Sequence, residues 1–226
     1  MDILATLSQA DELYRRRGQP NAVRRSVELL SALPGTNERY ESQWRLARAL
    51  FFLGQQADSS AAKQQLHAAG IGAGERAAAL SPDRVEGHFW LGVNLALFAE
   101  NAGGMLAARA LLKSRGALAR AARISPEYHD AGPLRVLGRL SHKAPWFLGG
   151  SLKRSRWYFE RALDIAPANT VTLLYAAELA RDEGARDRAR ELLERLIASR
   201  IDPEWEFENL RDRAIAEKLL AELSSG

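Results

Sequence analysis

One stretch near the middle of the chain limits the possible folds most strongly. It covers residues 144–167, where an aromatic loop and Gly149-Gly150 lead into a segment that ends at Pro167. One face of that segment carries small and apolar residues at offsets of four, three and one: Ser155, Phe159, Ala162 and Leu163. These offsets place side chains on one face of a helix, whereas a strand would need offsets of two. The pattern is typical of the second helix of a two-helix repeat.

Prolines that recur along the chain predict further copies of this unit. They are Pro82, Pro126, Pro167 and Pro203, separated by 44, 41 and 36 residues. The pattern resembles the tetratricopeptide repeat, whose ideal unit has about 34 residues. The early units are therefore longer, and their extra residues must lie in loops between helices or in lengthened helices.

The predicted fold is an all-α superhelix of tetratricopeptide-like helical hairpins, forming a single domain over residues 1–226. We expect ten to twelve helices in four or five degenerate units, and no sheet, because strict alternation of apolar and polar residues is absent. Gly92 is expected to let its helix approach the partner helix of the hairpin closely. Gly70, Gly72 and Gly74 each cost about 1 kcal/mol relative to alanine inside a helix, so a kink or break is expected there.

Composition excludes several classes of function. Cysteine is absent, which rules out disulfides, thiolate metal sites and thiol catalysis. The net charge is +4, but Lys and Arg (32) and Asp and Glu (28) are interleaved along the chain, as on a solvated helical surface. This distribution does not predict nucleic-acid binding.

The first residues do not read as a signal peptide, because residues 1–17 contain two aspartates, a glutamate and three consecutive arginines. No apolar run reaches the roughly 20 residues that span a bilayer. Two alternatives follow: a cytosolic protein, or a secreted one whose leader has been removed.

Three strings together resemble one particular family: DAGPLRVLGRL (130–140), KAPWFLGGS (143–151) and RALDIAPANT (161–170). They are similar to the T-component of tetratricopeptide-associated TRAP transporters. A Gly-Pro-Leu-Arg helix start followed by an aromatic Gly-Gly loop is not part of the general tetratricopeptide pattern. The distinctive segment covers residues 130–170, whereas the helical resemblance extends from about 40 to 200.

The resemblance implies a non-enzymatic, periplasmic accessory protein, often lipid-anchored through its leader. Such proteins work with the periplasmic solute-binding protein of a TRAP uptake system and can form a homotrimer. A hydrophobic small molecule is the ligand that the family implies, held in an apolar cleft. No cofactor is implied.

The aromatic loop is the main candidate site for ligand or partner binding, with Trp146, Phe147, Gly149 and Gly150. Two large aromatic residues at a loop tip can line a ligand opening or contact a partner, since loops on a rigid scaffold often carry function. They can also pack beneath the array. Gly149-Gly150 before Ser151 could cradle an anion at a helix start, but the Lys-Ser/Thr of a phosphate loop is missing, and the sequence favours Ser151 as an ordinary N-cap.

A second candidate pair lies on one apolar helix, at Trp90 and Asn94. A buried amide must find hydrogen-bond partners, so Asn94 either contacts a ligand or bonds to a neighbouring helix. Catalytic and metal sites are not predicted. The four histidines lack metal-ligand spacing, and no nucleophile pattern is present.

Two function hypotheses remain open from the sequence. The first is the TRAP accessory protein described above. The second is a tetratricopeptide scaffold that binds a protein in its groove and has no small-molecule ligand. An enzyme would need a perturbed acid–base cluster, and the sequence displays none.

Overall fold

A computed structural model describes residues 2–224. Within that range the chain forms eleven α-helices and no strand, which confirms the all-α prediction. The helices are α1 (Ile3–Arg15), α2 (Ala22–Ser31), α3 (Tyr40–Gln56), α4 (Ser60–Leu80), α5 (Val85–Asn101), α6 (Gly104–Ile124), α7 (Tyr128–Lys143), α8 (Leu152–Ile165), α9 (Thr170–Asp182), α10 (Arg186–Ala198) and α11 (Glu206–Ser224). Three short 3-10 turns lie at Thr36–Glu38, Trp146–Leu148 and Pro203–Trp205.

The helices fall into two compact units. Unit 1 is Met1–Ser125 and contains α1 to α6, and unit 2 is Pro126–Gly226 and contains α7 to α11. Each unit has buried apolar residues of its own. The single domain over 1–226 stays a prediction.

The small–large pattern of the central stretch recurs on the second helix of four hairpins. The members lie four residues apart and are at most 1% exposed: Ser26 and Leu30, Ser114 and Leu118, Ser155 and Phe159, and Ala189 and Leu193. The small residue lets the two helices of a hairpin come together, and the large residue fills the space beside it. The pattern that repeats in the sequence therefore marks where the two helices of each hairpin pack together.

Serine hydroxyls at three of these small positions bond across the hairpin. Ser26 Oγ donates to the carbonyl of Ala10 (3.0 Å), Ser114 Oγ to that of Gly92 (2.7 Å) and Ser155 Oγ to that of Gly138 (2.9 Å). A Cβ added at Gly92 would lie 2.6 Å from Leu118 Cγ. The expected close approach at Gly92 is thus confirmed.

The recurring prolines each follow the second helix of a hairpin, after α4, α6, α8 and α10. Helices α4 and α6 have 21 residues each, whereas α8 and α10 have 14 and 13. Much of the extra length of the early units therefore lies in longer helices, one of the two alternatives that the proline spacing left open.

The kink or break expected at Gly70, Gly72 and Gly74 is absent, and α4 is one continuous helix. The reason is close packing against α5. A Cβ at Gly74 would lie 2.7 Å from Leu91 Cα, and one at Gly70 would lie 2.3 Å from Asn94 Oδ1. Tertiary contacts of this kind outweigh the low helix propensity of glycine.

Helix α7 begins differently from the expectation. His129, Asp130 and Ala131 all have positive φ (53°, 52° and 59°), and helical geometry resumes after them, which places Pro133 near the start as predicted. The cap expected from Asp130 does not have the usual geometry, because Asp130 itself lies in this left-handed stretch and not in the extended conformation of an N-cap. The helix also continues to Lys143, so the predicted loop over 141–150 is shorter than expected.

Candidate functional site

The aromatic loop of unit 2 folds as a compact turn between α7 and α8. The carbonyl of Pro145 accepts hydrogen bonds from the N–H groups of Leu148 (3.0 Å) and Gly150 (2.9 Å). The N–H of Gly149 donates to the carbonyl of Trp146 at 3.0 Å. Backbone bonds thus hold the turn without help from the two aromatic side chains.

The aromatic side chains of this loop are the most exposed in the described chain. Trp146 is 84% exposed and Phe147 is 67% exposed, with their ring centroids 5.8 Å apart in an edge-to-face arrangement. The alternative in which they pack beneath the array does not apply within unit 2. Exposed aromatic pairs on a fixed backbone suit recognition, because little conformational freedom is lost on binding.

Glycine is required twice in this loop, for two different reasons. Gly149 has a φ of +84°, a left-handed conformation that side chains with a Cβ rarely adopt. Gly150 lies so close to the preceding turn that a Cβ there would be 1.9 Å from the carbonyl oxygen of Ala144. The Gly-Gly pair therefore sets the shape of the loop that presents Trp146 and Phe147.

The base of the loop is closed by contacts with the helices on either side. The N–H of Ser151 donates to the carbonyl of Ser141 at 2.8 Å, and Arg154 Nη2 donates to the carbonyl of Gly149 at 2.9 Å. Ser151 Oγ accepts from the N–H of Arg154 at 3.3 Å, as an N-cap does. The hydroxyl at this helix start therefore caps α8.

A charged cluster connects the end of α7, beside the loop, to α9. Asp182 Oδ2 lies 2.8 Å from His142 Nε2 and 3.0 Å from Lys143 Nζ. Burial and the neighbouring Lys143 lower the pKa of His142. Burial opposes ionisation of Asp182, but hydrogen bonds from Lys143 and His142 hold the pKa of Asp182 below its usual value. At neutral pH a neutral His142 therefore donates to an ionised Asp182.

The second candidate pair, Trp90 and Asn94, lies inside unit 1. Trp90 is 1% exposed and packs on Phe51 and Phe89, with ring centroids 5.5 and 4.8 Å away. Asn94 is fully buried, and its Nδ2 donates to the carbonyls of Ala47 (3.0 Å) and Trp90 (2.8 Å). The hydrogen bond to a neighbouring helix, one of the two alternatives given for Asn94, is present.

His67 completes the surroundings of Asn94. Its Nδ1 lies 3.2 Å from Asn94 Oδ1, and burial lowers the pKa of His67. Because Oδ1 can only accept, the neutral His67 ring carries its proton on Nδ1. Asn94 thus connects α3, α4 and α5, and a ligand contact at this residue stays a prediction.

The six predicted residues therefore fall into two groups. Trp146, Phe147, Gly149 and Gly150 share one loop of unit 2, whereas Trp90 and Asn94 share one helix of unit 1. The sequence reading did not single out Trp157 on α8, which is 54% exposed. Its position two residues before the buried Phe159 could have indicated an outward direction.

Each unit has a concave region within the described residues. Unit 2 has a cleft of about 160 Å³ beside Phe159 and Leu163, and unit 1 has a groove of about 570 Å³. Small-molecule pockets usually measure about 300–1,000 Å³, so the groove falls in that range and the cleft is smaller. In the described residues, no group of three His, Asp or Glu side chains is placed to hold a metal ion. No described helix has both the length and the apolar character needed to cross a membrane.

The eleven helices of residues 2–224 define a class of fold, an all-α array of helical hairpins. Solved structures agree with the fold. A tetratricopeptide protein of Thermus thermophilus, TTC0263, matches with a TM-score of 0.71 at 18% identity, covering 99% of both chains. MamA matches with a TM-score of 0.55 at 16% identity, covering 95% of this chain and 98% of MamA.

The sequence itself matches the TRAP transporter T-component family over residues 38–225. The chain therefore belongs to that family, which confirms the resemblance read from the three strings. No curated protein matches significantly. Family and fold together support a helical accessory or protein-interaction role associated with a TRAP system.

Proposed function

We propose that this protein is a periplasmic accessory subunit of a TRAP uptake system and that it binds the solute-binding protein of that system. Trp146 and Phe147 form the centre of the contact. The observation that carries this proposal is their exposure, 84% and 67%, on a turn held by its own backbone bonds. Aromatic residues are frequent among the interface residues whose truncation to alanine weakens binding most.

The loop is suited to a protein partner because its two aromatic side chains are largely exposed. It offers a compact apolar tip, while Lys143 and Arg154 supply charge at its base. An apolar centre with a polar rim is the usual arrangement at interfaces between soluble proteins. A partner with a shallow apolar depression would bury both rings.

The test is a binding titration by isothermal calorimetry with the purified solute-binding protein of the same system. The double variant Trp146→Ala, Phe147→Ala should raise Kd at least tenfold, since a central aromatic residue contributes about 2 kcal/mol or more. Helix content, measured by circular dichroism, should not change, because neither ring belongs to a buried core.

The matched control is Met105→Ala, Leu106→Ala, which truncates two exposed apolar side chains of unit 1 (70% and 53% exposed). This variant should keep the wild-type Kd. If wild-type protein shows no binding, the partner is wrong. If the loop variant binds as well as wild type, the loop assignment is wrong.

A hydrophobic small molecule and a homotrimer are further parts of the proposal that family membership supports. Native mass spectrometry, with the denatured mass as reference, tests both in one experiment. A trimer, or a mass excess that a lipid or an organic acid accounts for, would favour the accessory protein with a ligand. A bare monomer would favour the second candidate, a protein-binding scaffold without a small-molecule ligand.

A further inference from the structure

The outer face of α6 contains none of the candidate residues considered above. The opposite face of this helix packs inside unit 1 through small and apolar residues three or four positions apart: Ala110, Ser114, Leu118 and Ala121. The outer face is formed by large exposed side chains: Met105, Leu106, Arg109, Leu112, Lys113 and Arg123. It is open, since a Cβ added at Gly116 would meet no neighbouring group within 4 Å. We propose that the outer face of α6 binds the surface of a lipid bilayer that contains anionic phospholipid.

The apolar part of the outer face lies in the first half of α6. Met105 is 70% exposed, Leu106 is 53% exposed and Leu112 is 58% exposed. Met105 and Leu112 are seven residues apart, about two helical turns, so their side chains lie on the same side of the helix. Leaving these aliphatic side chains in water costs free energy, which the boundary between the headgroups and the acyl chains of a bilayer can recover.

The charged side chains of α6 are all cationic. Residues 104–124 contain five Lys and Arg and no Asp or Glu, although the whole chain has 32 of the former and 28 of the latter. Arg109, Lys113 and Arg123 are exposed, and no described carboxylate forms an ion pair with any of them. Arg120 differs, because it pairs with Asp83 at 2.9 Å. The outer face therefore carries uncompensated positive charge, which favours an anionic partner.

The spacing of the three exposed cations indicates an extended anionic surface and not a small anion. Arg109 and Arg123 are fourteen residues apart, about 21 Å along a helix at 1.5 Å per residue, with Lys113 between them. A single phosphate or carboxylate ligand cannot reach all three side chains. The headgroups of a bilayer form a continuous layer of phosphates, so each cation can contact one.

A bilayer also fits the mixture of residue types better than an acidic protein does. Protein interfaces are enriched in aromatic residues and depleted of lysine, whereas residues 104–124 contain a lysine and no aromatic residue. Cationic and aliphatic side chains on one amphipathic helix are typical of helices that lie in the plane of a membrane surface. The contact is made by side chains of the fold and needs no lipid attached to the chain.

The test is cosedimentation of the purified protein with vesicles of phosphatidylcholine and phosphatidylglycerol in about equal amounts. Vesicles of phosphatidylcholine alone are the matched neutral probe. The protein should bind the anionic vesicles at least tenfold more tightly, because each Lys or Arg near an anionic surface adds to the attraction. The difference should shrink as salt is raised, because screening weakens the interaction between exposed charges.

Charge variants locate the contact. Arg109→Gln, Lys113→Gln should weaken binding to the anionic vesicles about tenfold or more. Arg24→Gln, Arg25→Gln removes the same charge from exposed residues of α2 and should leave the affinity within about twofold, because these side chains lie outside the outer face of α6. Helix content, measured by circular dichroism, should be the same for both variants, because all four side chains are exposed.

An apolar variant tests insertion into the bilayer. Met105→Ala, Leu106→Ala keeps every charge and should still weaken vesicle binding about tenfold, because less apolar surface leaves water. In calorimetry without lipid, the same variant should keep its affinity for the solute-binding protein. Failure of the bilayer contact is thereby distinguished from failure of the proposed function.

A fluorescent probe tests which face meets the bilayer. The chain has no cysteine, so Leu112→Cys takes a single environment-sensitive label. The emission of this label should shift to shorter wavelength on anionic vesicles as it enters the acyl boundary. The same label on Ser8→Cys, an exposed position of α1, should show no shift.

Equal affinity for neutral and anionic vesicles would overturn the proposal, as would no detectable binding to anionic vesicles at low salt. A label at position 112 that stays in water would overturn it too. Poly-glutamate binding as tight as vesicle binding, and lost in Arg109→Gln, Lys113→Gln, would show an acidic protein as the partner instead of lipid. Loss of vesicle binding in Trp146→Ala, Phe147→Ala would show that the aromatic loop, and not α6, meets the bilayer.

Discussion

Arg135 shows how a single residue of the family segment determines local backbone geometry. Its side chain is 4% exposed, and burial lowers its pKa. Its Nη1 donates to the carbonyl of Asp130 at 2.8 Å, and its Nη2 lies 3.3 Å from the carbonyl of His129. These are two of the three residues with positive φ in the first turn of α7. The arginine in the Gly-Pro-Leu-Arg string thus stabilises an unfavourable backbone by supplying donors to its carbonyl groups.

Replacing this arginine should be among the most destabilising single changes in unit 2. Arg135→Leu buries a side chain that cannot donate and takes these donors from the part-buried carbonyl groups of His129 and Asp130, so we expect a loss of about 2–4 kcal/mol in the free energy of unfolding. Urea denaturation followed by circular dichroism measures the change. Arg139→Gln, which breaks a partly exposed pair with Glu178, should lose about 1 kcal/mol or less. Equal losses for the two variants would contradict the role given to Arg135.

At the scale of elements, the contact between the two helices of a hairpin depends on one small residue. Ser155 on α8 is fully buried and bonds to the carbonyl of Gly138 on α7. Phe159 lies one turn further along α8, and a Cβ at Gly138 would lie 2.6 Å from its ring. The hairpin is therefore packed without space for a larger side chain at position 155.

Ser155→Leu should force the two helices apart and lower the free energy of unfolding by about 1–3 kcal/mol or more. Ser155→Ala removes only one hydrogen bond and should cost about 1 kcal/mol. The urea midpoints of the two variants measure these two losses of stability and show whether leucine costs more than alanine. If leucine is tolerated as well as alanine, the packing at Ser155 does not limit the approach of α7 and α8.

An ion-pair network joins the helices of unit 1 and makes its stability sensitive to acid. Burial would raise the pKa of Glu41, but hydrogen bonds from Trp44, Arg84 and Arg45 outweigh it and lower the pKa to about 2. The ordinary value is 4.5. Because the folded-state pKa is the lower one, the stabilisation by Glu41 is complete above pH 4.5 and is lost as the pH falls towards 2.

Glu41→Gln should therefore flatten the decline of the urea midpoint between pH 4.5 and pH 2. The variant should be less stable than wild type at about pH 7 and closer to it at about pH 2. Trp44→Phe keeps an aromatic ring but removes one hydrogen bond to Glu41. The pH dependence of its urea midpoint should therefore lie between those of wild type and Glu41→Gln. If the urea midpoints of wild type and Glu41→Gln fall in parallel as the pH is lowered, the Glu41 carboxylate does not cause the acid sensitivity.

At the scale of the whole molecule, we propose that residues 1–226 unfold as one domain, because each hairpin of a repeat array is stabilised by its neighbours. Leu118 of unit 1 is fully buried and Leu193 of unit 2 is 1% exposed. Changing either one to alanine should cost about 2–5 kcal/mol and shift the entire thermal transition. Calorimetry measures this. Two transitions, each moved by only one variant, would mean that the units unfold independently.

Much of this protein could be predicted from the order of its residues. Helix spacing and capping are local properties, so the small–large pattern around Ser155 and the cap at Ser151 were readable directly. The family segment was recognised from the aromatic Gly-Gly loop for the same reason. Such features depend on residues within a few positions of each other.

Only the tertiary structure decided the rest, because it depends on which distant residues meet. Glycine propensity predicted a break at Gly70 and Gly74, but the backbone of Leu91 and the amide of Asn94 occupy the space that their missing side chains leave. The same packing buries Asn94, whereas the backbone bonds of the loop leave Trp146 exposed. The sequence by itself determined the helices and their repeat. Packing between helices decided which candidate residues lie inside a unit and which are exposed on its surface.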